Sequence, residues 1–236
     1  MKRTNGFTLI ELMISMAVTM LLLVGVYVAV NSSQRNTAGI ERKVGVQQDV
    51  KPALDLMAME IGMASYNPNF TTGMWLAAGS CATPSTTQGY KGIQLATANA
   101  IEVQMDVVEN GSLTDANEVI SYSYNTTNLY MTRGVCSGGA MPNPLPAFLG
   151  DLASSGNPQT LRVINATLGI PVFRYYDGTG TEITIGTGAT QLPLAIPNIR
   201  RIDICLAVET AAVDPNTKQT RKLIYSTSVI PRNHAL

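Results

Sequence analysis

From Phe7 to Val30 the chain is apolar at almost every position, with Glu11, Ser15, Thr19 and Gly25 among the exceptions. As a helix those residues span roughly 36 Å, more than the about 30 Å of a bilayer core. The run is too long for a secretory h-region of about 7–15 residues. After Asn31 the pattern changes. Ile40, Val44, Gln47, Val50, Leu54, Met57 and Ile61 recur at spacings of three and four, which predicts an amphipathic helix continuing to about Met63. Arg35, Glu41, Arg42, Lys43 and Asp49 fall mostly off that face. Gly39 and Gly45 weaken the helix, and Pro52 is expected to kink or open it. Tyr66-Asn67-Pro68-Asn69 supplies the stop.

A loop-rich stretch follows at 67–92, and then the period shortens to two. Ile101 to Val107 alternates strictly, as a strand does. Residues 119–124 and 129–133 flank Asn125-Thr126-Thr127-Asn128 and read as a hairpin. A second loop, 134–160, holds Pro142, Pro144, Pro146 and Pro158. Further strands are expected at 170–176, 181–185, 199–208 and 222–230, with turns at Asp177-Gly178-Thr179-Gly180 and Asp214-Pro215-Asn216-Thr217. The predicted fold class is α+β: one long N-terminal helix, half membrane-spanning and half amphipathic, packed on a largely antiparallel sheet. The expected divisions are 1–6 as a leader, 7–30 as the apolar span, 31–66 as the amphipathic continuation and 67–236 as a β-rich head.

Composition narrows the function. The 236 residues carry 16 basic and 16 acidic side chains, and charged residues make up only 14%. That balance offers no electrostatic footprint for nucleic acid. The three cysteines, Cys81, Cys136 and Cys205, have no metal-type spacing. Cys81 and Cys136 lie in Gly/Pro/Ser-rich loops, so in an oxidising compartment they are expected to pair, with Cys205 a buried free thiol in a strand. Three reduced thiols are the alternative. The single histidine, His234, stands near the end of the sequence, and no nucleophile elbow or phosphate loop is present, so no catalytic or metal constellation is expected. The turn at Asp177 has oxygens but not the spacing of a calcium loop.

Glu11 is the anomaly. A carboxylate placed centrally in a membrane helix costs about 2.5–3.5 kcal/mol, and such groups mark function. One reading makes it a tolerated acid near the membrane surface. The other pairs it with an amine, created by cutting after Gly6, on Phe7 of a neighbouring chain; the same amine could also meet it within the chain. The stretch Lys2-Arg3 with Gly6-Phe7-Thr8-Leu9-Ile10-Glu11-Leu12 resembles the signal of type IV pilins and type II secretion pseudopilins. That resemblance implies cleavage between Gly6 and Phe7 by prepilin peptidase, N-methylation of Phe7, and a role for Glu11 in docking into a growing filament.

Further along, Leu56 to Ile61, Leu129 to Arg133, Val172 to Asp177, Ile199 to Ile204 and Val229 to Asn233 resemble the PilW group of minor pilins, and more loosely pseudopilin J. Gln104 departs from that group, which often has Arg there. The resemblance implies a non-catalytic minor pilin without cofactor or metal. It would sit in the inner membrane as a single-pass protein, with its head periplasmic, and then in a surface pilus. Its partners would be prepilin peptidase, other major and minor pilins, the inner-membrane assembly platform and, before assembly, membrane lipid. A pseudopilin of a secretion system and a membrane-tethered binding domain are the competing readings.

Overall fold

The computed structural model describes residues 8–137, 139–150, 160–183 and 195–235. Helix α1, Leu9–Gly62, runs 54 residues without a break, about 81 Å at 1.5 Å per residue. Pro52 lies inside it on an exposed turn, so the carbonyl that loses its intrahelical partner can be hydrated. The expected opening there does not occur. Among the described residues nothing packs on the first half of α1: the apolar residues from Leu9 to Val30 are exposed. The second half buries Gly39, Val46, Val50, Ala53, Leu54, Met57, Glu60 and Ile61. Met57 and Ile61 are fully buried, each gaining about 2 kcal/mol.

The predicted face holds from Val50 onward but fails below it. Ile40 is 63% exposed and Val44 41%, while Gly39 and Val46 are buried. The reason is the partner. At this level α1 meets a polar loop rather than a sheet. Arg42 bonds the carbonyl of Val213, and Asn36 accepts from Asn216 at 2.8 Å. A Cβ on Gly39 would lie 3.4 Å from Asp214 Oδ2, so the smallest residue lets that loop close on the helix.

Two antiparallel sheets form the head. The first comprises β1 (Ile93–Ala96), β2 (Ala100–Gln104), β3 (Val119–Asn125), β4 (Tyr130–Val135) and β5 (Ala147–Leu149), paired in chain order. The second is built around β8 (Arg201–Thr210). Both β6 (Leu161–Val163) and β7 (Phe173–Tyr176) pair with one edge of it, and β9 (Lys222–Val229) covers the other. A four-residue helix α2, Asn165–Leu168, joins β6 to β7. Helix α1 packs on β9, β8 and β5.

The expected hairpins around Asn125–Asn128 and Asp214–Thr217 are present. Strands β1, β5 and β6 have no counterpart in the periodicity. The strand expected at 181–185 is reduced, within the described residues, to a bridge between Tyr176 and Glu182.

The alternation at 101–107 misleads in one respect: β2 is buried on both faces. Its polar face, Glu102 and Gln104, is covered by the loop after α1. Gln104 donates to Leu76 O and accepts from Leu76 N, both at 2.9 Å, in the manner of a strand backbone. Glu102 accepts from Gly79 N at 2.7 Å. Beside them lies a second small core of Met74, Trp75, Leu76, Cys81, Leu113, Val119 and Cys136.

Candidate assembly site

Thr8 begins α1 as its N-cap, because its hydroxyl oxygen accepts from Glu11 N at 3.4 Å. Glu11 answers: its Oε2 accepts from Thr8 N and from Thr8 Oγ1, both at 2.9 Å. This reciprocal pattern satisfies donors that a helix start leaves orphaned. The spacing Thr8-x-x-Glu11 carried that signal in the sequence. Both bonds fall on one oxygen, and Oε1 receives none from the described residues. Gly6 and Phe7 lie outside the described residues.

Farther into the apolar run, Ser15 and Thr19 turn inward. Their hydroxyls donate to Leu12 O at 2.8 Å and Ser15 O at 2.7 Å. The Ser15 and Thr19 hydroxyls are thus spent on the helix itself. Among the described residues α1 is the one helix long and apolar enough to cross a membrane, and the chain buries none of its apolar window.

The other singled-out residues lie in the head. Cys81 and Cys136 form a disulfide with Cα atoms 5.7 Å apart. The bridge ties the loop after α1 to the end of β4, across the small core. Glu11 and the disulfide are therefore not one site. Cys205 is a free thiol but only half buried, on the outer face of β8, and burial raises its pKa while Arg174 partly offsets the rise. One oxygen of Asp177 is satisfied within its own turn: Oδ1 accepts from Thr179 N at 2.8 Å, Thr179 Oγ1 at 2.7 Å and Thr181 N at 2.9 Å. The Thr179 hydroxyl is the main cause of a lowered Asp177 pKa, followed by the Thr181 amide. Among the described residues no three His, Cys, Asp or Glu side chains gather as metal ligands.

Two devices that fix the head to the helix were not legible in the sequence. At the end of α1, Glu60 accepts from Arg133 Nε at 3.1 Å and from Nη2 at 2.5 Å, and also from the Tyr122 hydroxyl. Burial first, and then the Glu60 bond, push the Tyr122 pKa up.

At the exit from α1, Ser65 adopts a left-handed φ of 68°. Its amide donates to Gln104 O at 2.9 Å. Gly92 N donates to Ser65 Oγ at 2.9 Å, and Ser65 Oγ lies 2.8 Å from His234 Nδ1. His234 Nε2 lies 2.8 Å from Ile196 O. A carbonyl only accepts, so the proton is on Nε2, and Nδ1 accepts from Ser65. The ring is neutral, its pKa lowered to about 4 chiefly by burial. Gly92 is obligatory: a Cβ there would fall 2.2 Å from Gln104 O and Ser65 N.

No curated protein matches this chain significantly in sequence. Among solved structures, a type IV-like pilin from Thermus thermophilus is similar at a TM-score of 0.46 and 12% identity, covering 81% of this chain and 97% of that one. Residues 1–27 match the prokaryotic N-terminal methylation motif, and with it the chain carries a type IV prepilin signal.

Proposed function

We propose that this protein is a minor pilin: a non-catalytic, low-copy subunit of a type IV pilus that aids assembly initiation near the tip. Prepilin peptidase cuts between Gly6 and Phe7 and the new Phe7 amine is methylated. Before assembly the apolar half of α1 lies in the inner membrane, with the leader cytoplasmic and the head periplasmic. Within the filament, Glu11 meets the Phe7 amine of an adjacent subunit.

The observation that carries this reading is the continuous α1, whose apolar half is wholly exposed while its other half is built into the head. A lone head cannot cover that surface. Lipid and then neighbouring helices of the same kind can. The methylation motif supports the processing step, and the unbonded Glu11 Oε1 supports the pairing.

The test is recovery. Filaments sheared from producing cells are expected to contain the chain at low copy, beginning at N-methylated Phe7. An uncut Met1 terminus in membranes with active prepilin peptidase would refute the reading.

A further inference from the structure

Among the described residues strand β9 has an open edge. In an antiparallel strand the N–H and C=O of one residue point the same way, and alternate residues point to opposite edges. Cys205 N bonds Val172 O at 2.8 Å, and Ala207 O accepts from Ile164 N at 2.7 Å, so the odd residues of β8 face β7 and β6. The even ones face β9, where the register sets Val208, Leu206, Ile204 and Ile202 against Leu223, Tyr225, Thr227 and Val229. Thr210 N bonding Arg221 O at 2.9 Å continues the pattern. The backbone groups of Lys222, Ile224, Ser226 and Ser228 therefore point out of the sheet. Among the described residues none of these groups has a partner, and all four residues are exposed.

The other edges are protected in the usual ways. Strand β1 has four residues and a register shift, β5 has three and a shift, and β6 and β7 are three and four residues long. Strand β9 has eight residues in unbroken register. Leu223 to Val229 contains no charge, proline or glycine, and Ile224 is 59% exposed.

Orientation excludes the antiparallel pairing of two copies. Along α1, Gly39 lies beside Arg221, Gln47 beside Tyr225 and Gly62 beside Val229. Helix and strand thus run in the same direction. Two copies pairing β9 with β9 antiparallel would send their N-terminal helices opposite ways, and both could not enter one membrane.

We propose that the β9 edge is an interaction surface that takes an extended segment of a different chain, added antiparallel as a further strand. Its backbone completes the four outward-pointing residues. Its central residues are uncharged to match Leu223–Val229, and acids at its ends face Lys222 and Arg232. Only the exclusion of an antiparallel second copy rests on the anchored-subunit reading.

The test is amide exchange resolved to single residues in the full chain, purified in detergent and in the envelope of producing cells, with Ser226→Pro in parallel. Proline is tolerated at an edge position whose N–H faces away from the sheet, so the variant is expected to keep its Cys81–Cys136 bridge and its unfolding midpoint. The expected result is fast exchange at Ile224, Ser226 and Ser228 in detergent, slowed roughly tenfold or more in the envelope. In the variant Ile224 and Ser228 stay fast in both. Equal rates in both settings would overturn the proposal, as would slowing that survives Ser226→Pro. Protection in detergent that appears with dimers would make the occupant a second copy and overturn the assignment to a different chain. Because the envelope is read whether or not the chain reaches sheared filaments, this result and the filament result fail independently.

Discussion

Glu60, on the last turn of the long helix, holds Arg133 from the fourth strand through two parallel hydrogen bonds, Nε at 3.1 Å and Nη2 at 2.5 Å. The pair is largely shielded, with 8% of the Glu60 side chain and 21% of the Arg133 side chain exposed. Removing one partner of such a pair leaves the other charge uncompensated.

Arg133→Met is accordingly expected to lower stability by about 3 kcal/mol, toward the low end for buried pairs because the arginine keeps some solvent. Glu60→Gln with Arg133→Met should recover part of the loss, since no charge is then stranded. Denaturant unfolding of the single and double variants measures this. An unchanged midpoint for Arg133→Met would show that the pair contributes nothing to docking the helix.

The Cys81–Cys136 bridge closes a sequence separation of 55. The chain-entropy account gives such a closure about 4 kcal/mol. Replacing both cysteines by serine is expected to cost about that much and to free the loop over Glu102 and Gln104. Non-reducing peptide mapping checks the pairing, and unfolding checks the loss. A bridge to Cys205 would contradict it.

Two buried groups give opposing pH dependences. The His234 pKa falls from 6.5 to about 4 through burial, so the folded state binds fewer protons than the unfolded one. Its contribution, about 3 kcal/mol, is complete above pH 6.5 and lost as pH falls toward 4. Glu102 rises from 4.5 to about 6, again through burial. Its contribution, about 2 kcal/mol, is present below pH 4.5 and lost as pH rises through 6. Between these limits the two largely cancel. Glu102→Gln should therefore expose a steep loss on acidification, and His234→Gln should become more stable from pH 7 to 5. Parallel slopes in both variants would show that neither group titrates as described.

Glu11 both caps its helix and offers a charge, and two substitutions separate the roles. Glu11→Gln keeps an acceptor for Thr8, whereas Glu11→Leu removes cap and charge, the cap being worth about 1 kcal/mol. Both variants are expected to insert and be cut after Gly6, yet to be scarce in sheared filaments. Full recovery of Glu11→Gln from filaments would reduce Glu11 to a capping residue.

Legibility in the sequence followed periodicity. The long helix, the β3–β4 hairpin and the central strand β8 announce themselves by runs and alternation. Ile40 and Val44 misled because the surface facing that part of α1 is a loop bound by backbone carbonyls and Asp214, which leaves no apolar demand on its partner. Glu102 and Gln104 hold the polar positions of a strict alternation, yet a loop without periodicity covers them. His234 looked incidental near the end of the sequence, because its value lies in contacts with Ser65 and Ile196, far away along the chain. The capping box of Thr8 and Glu11 went unread, although both partners lie within one turn and the Thr8-x-x-Glu11 spacing carries its signal.

The alignment of α1 with β9, from Gly39 beside Arg221 to Gly62 beside Val229, has a mechanical consequence. A pull on the apolar end travels up the helix and meets the head along the direction of the strand. The contacts from the Asn36–Asn216 bond up to the Glu60–Arg133 pair then share the load in shear and must yield together. A transverse force would peel them one at a time. The head is fastened to its rod as a lap joint, strong along the axis and weak across it.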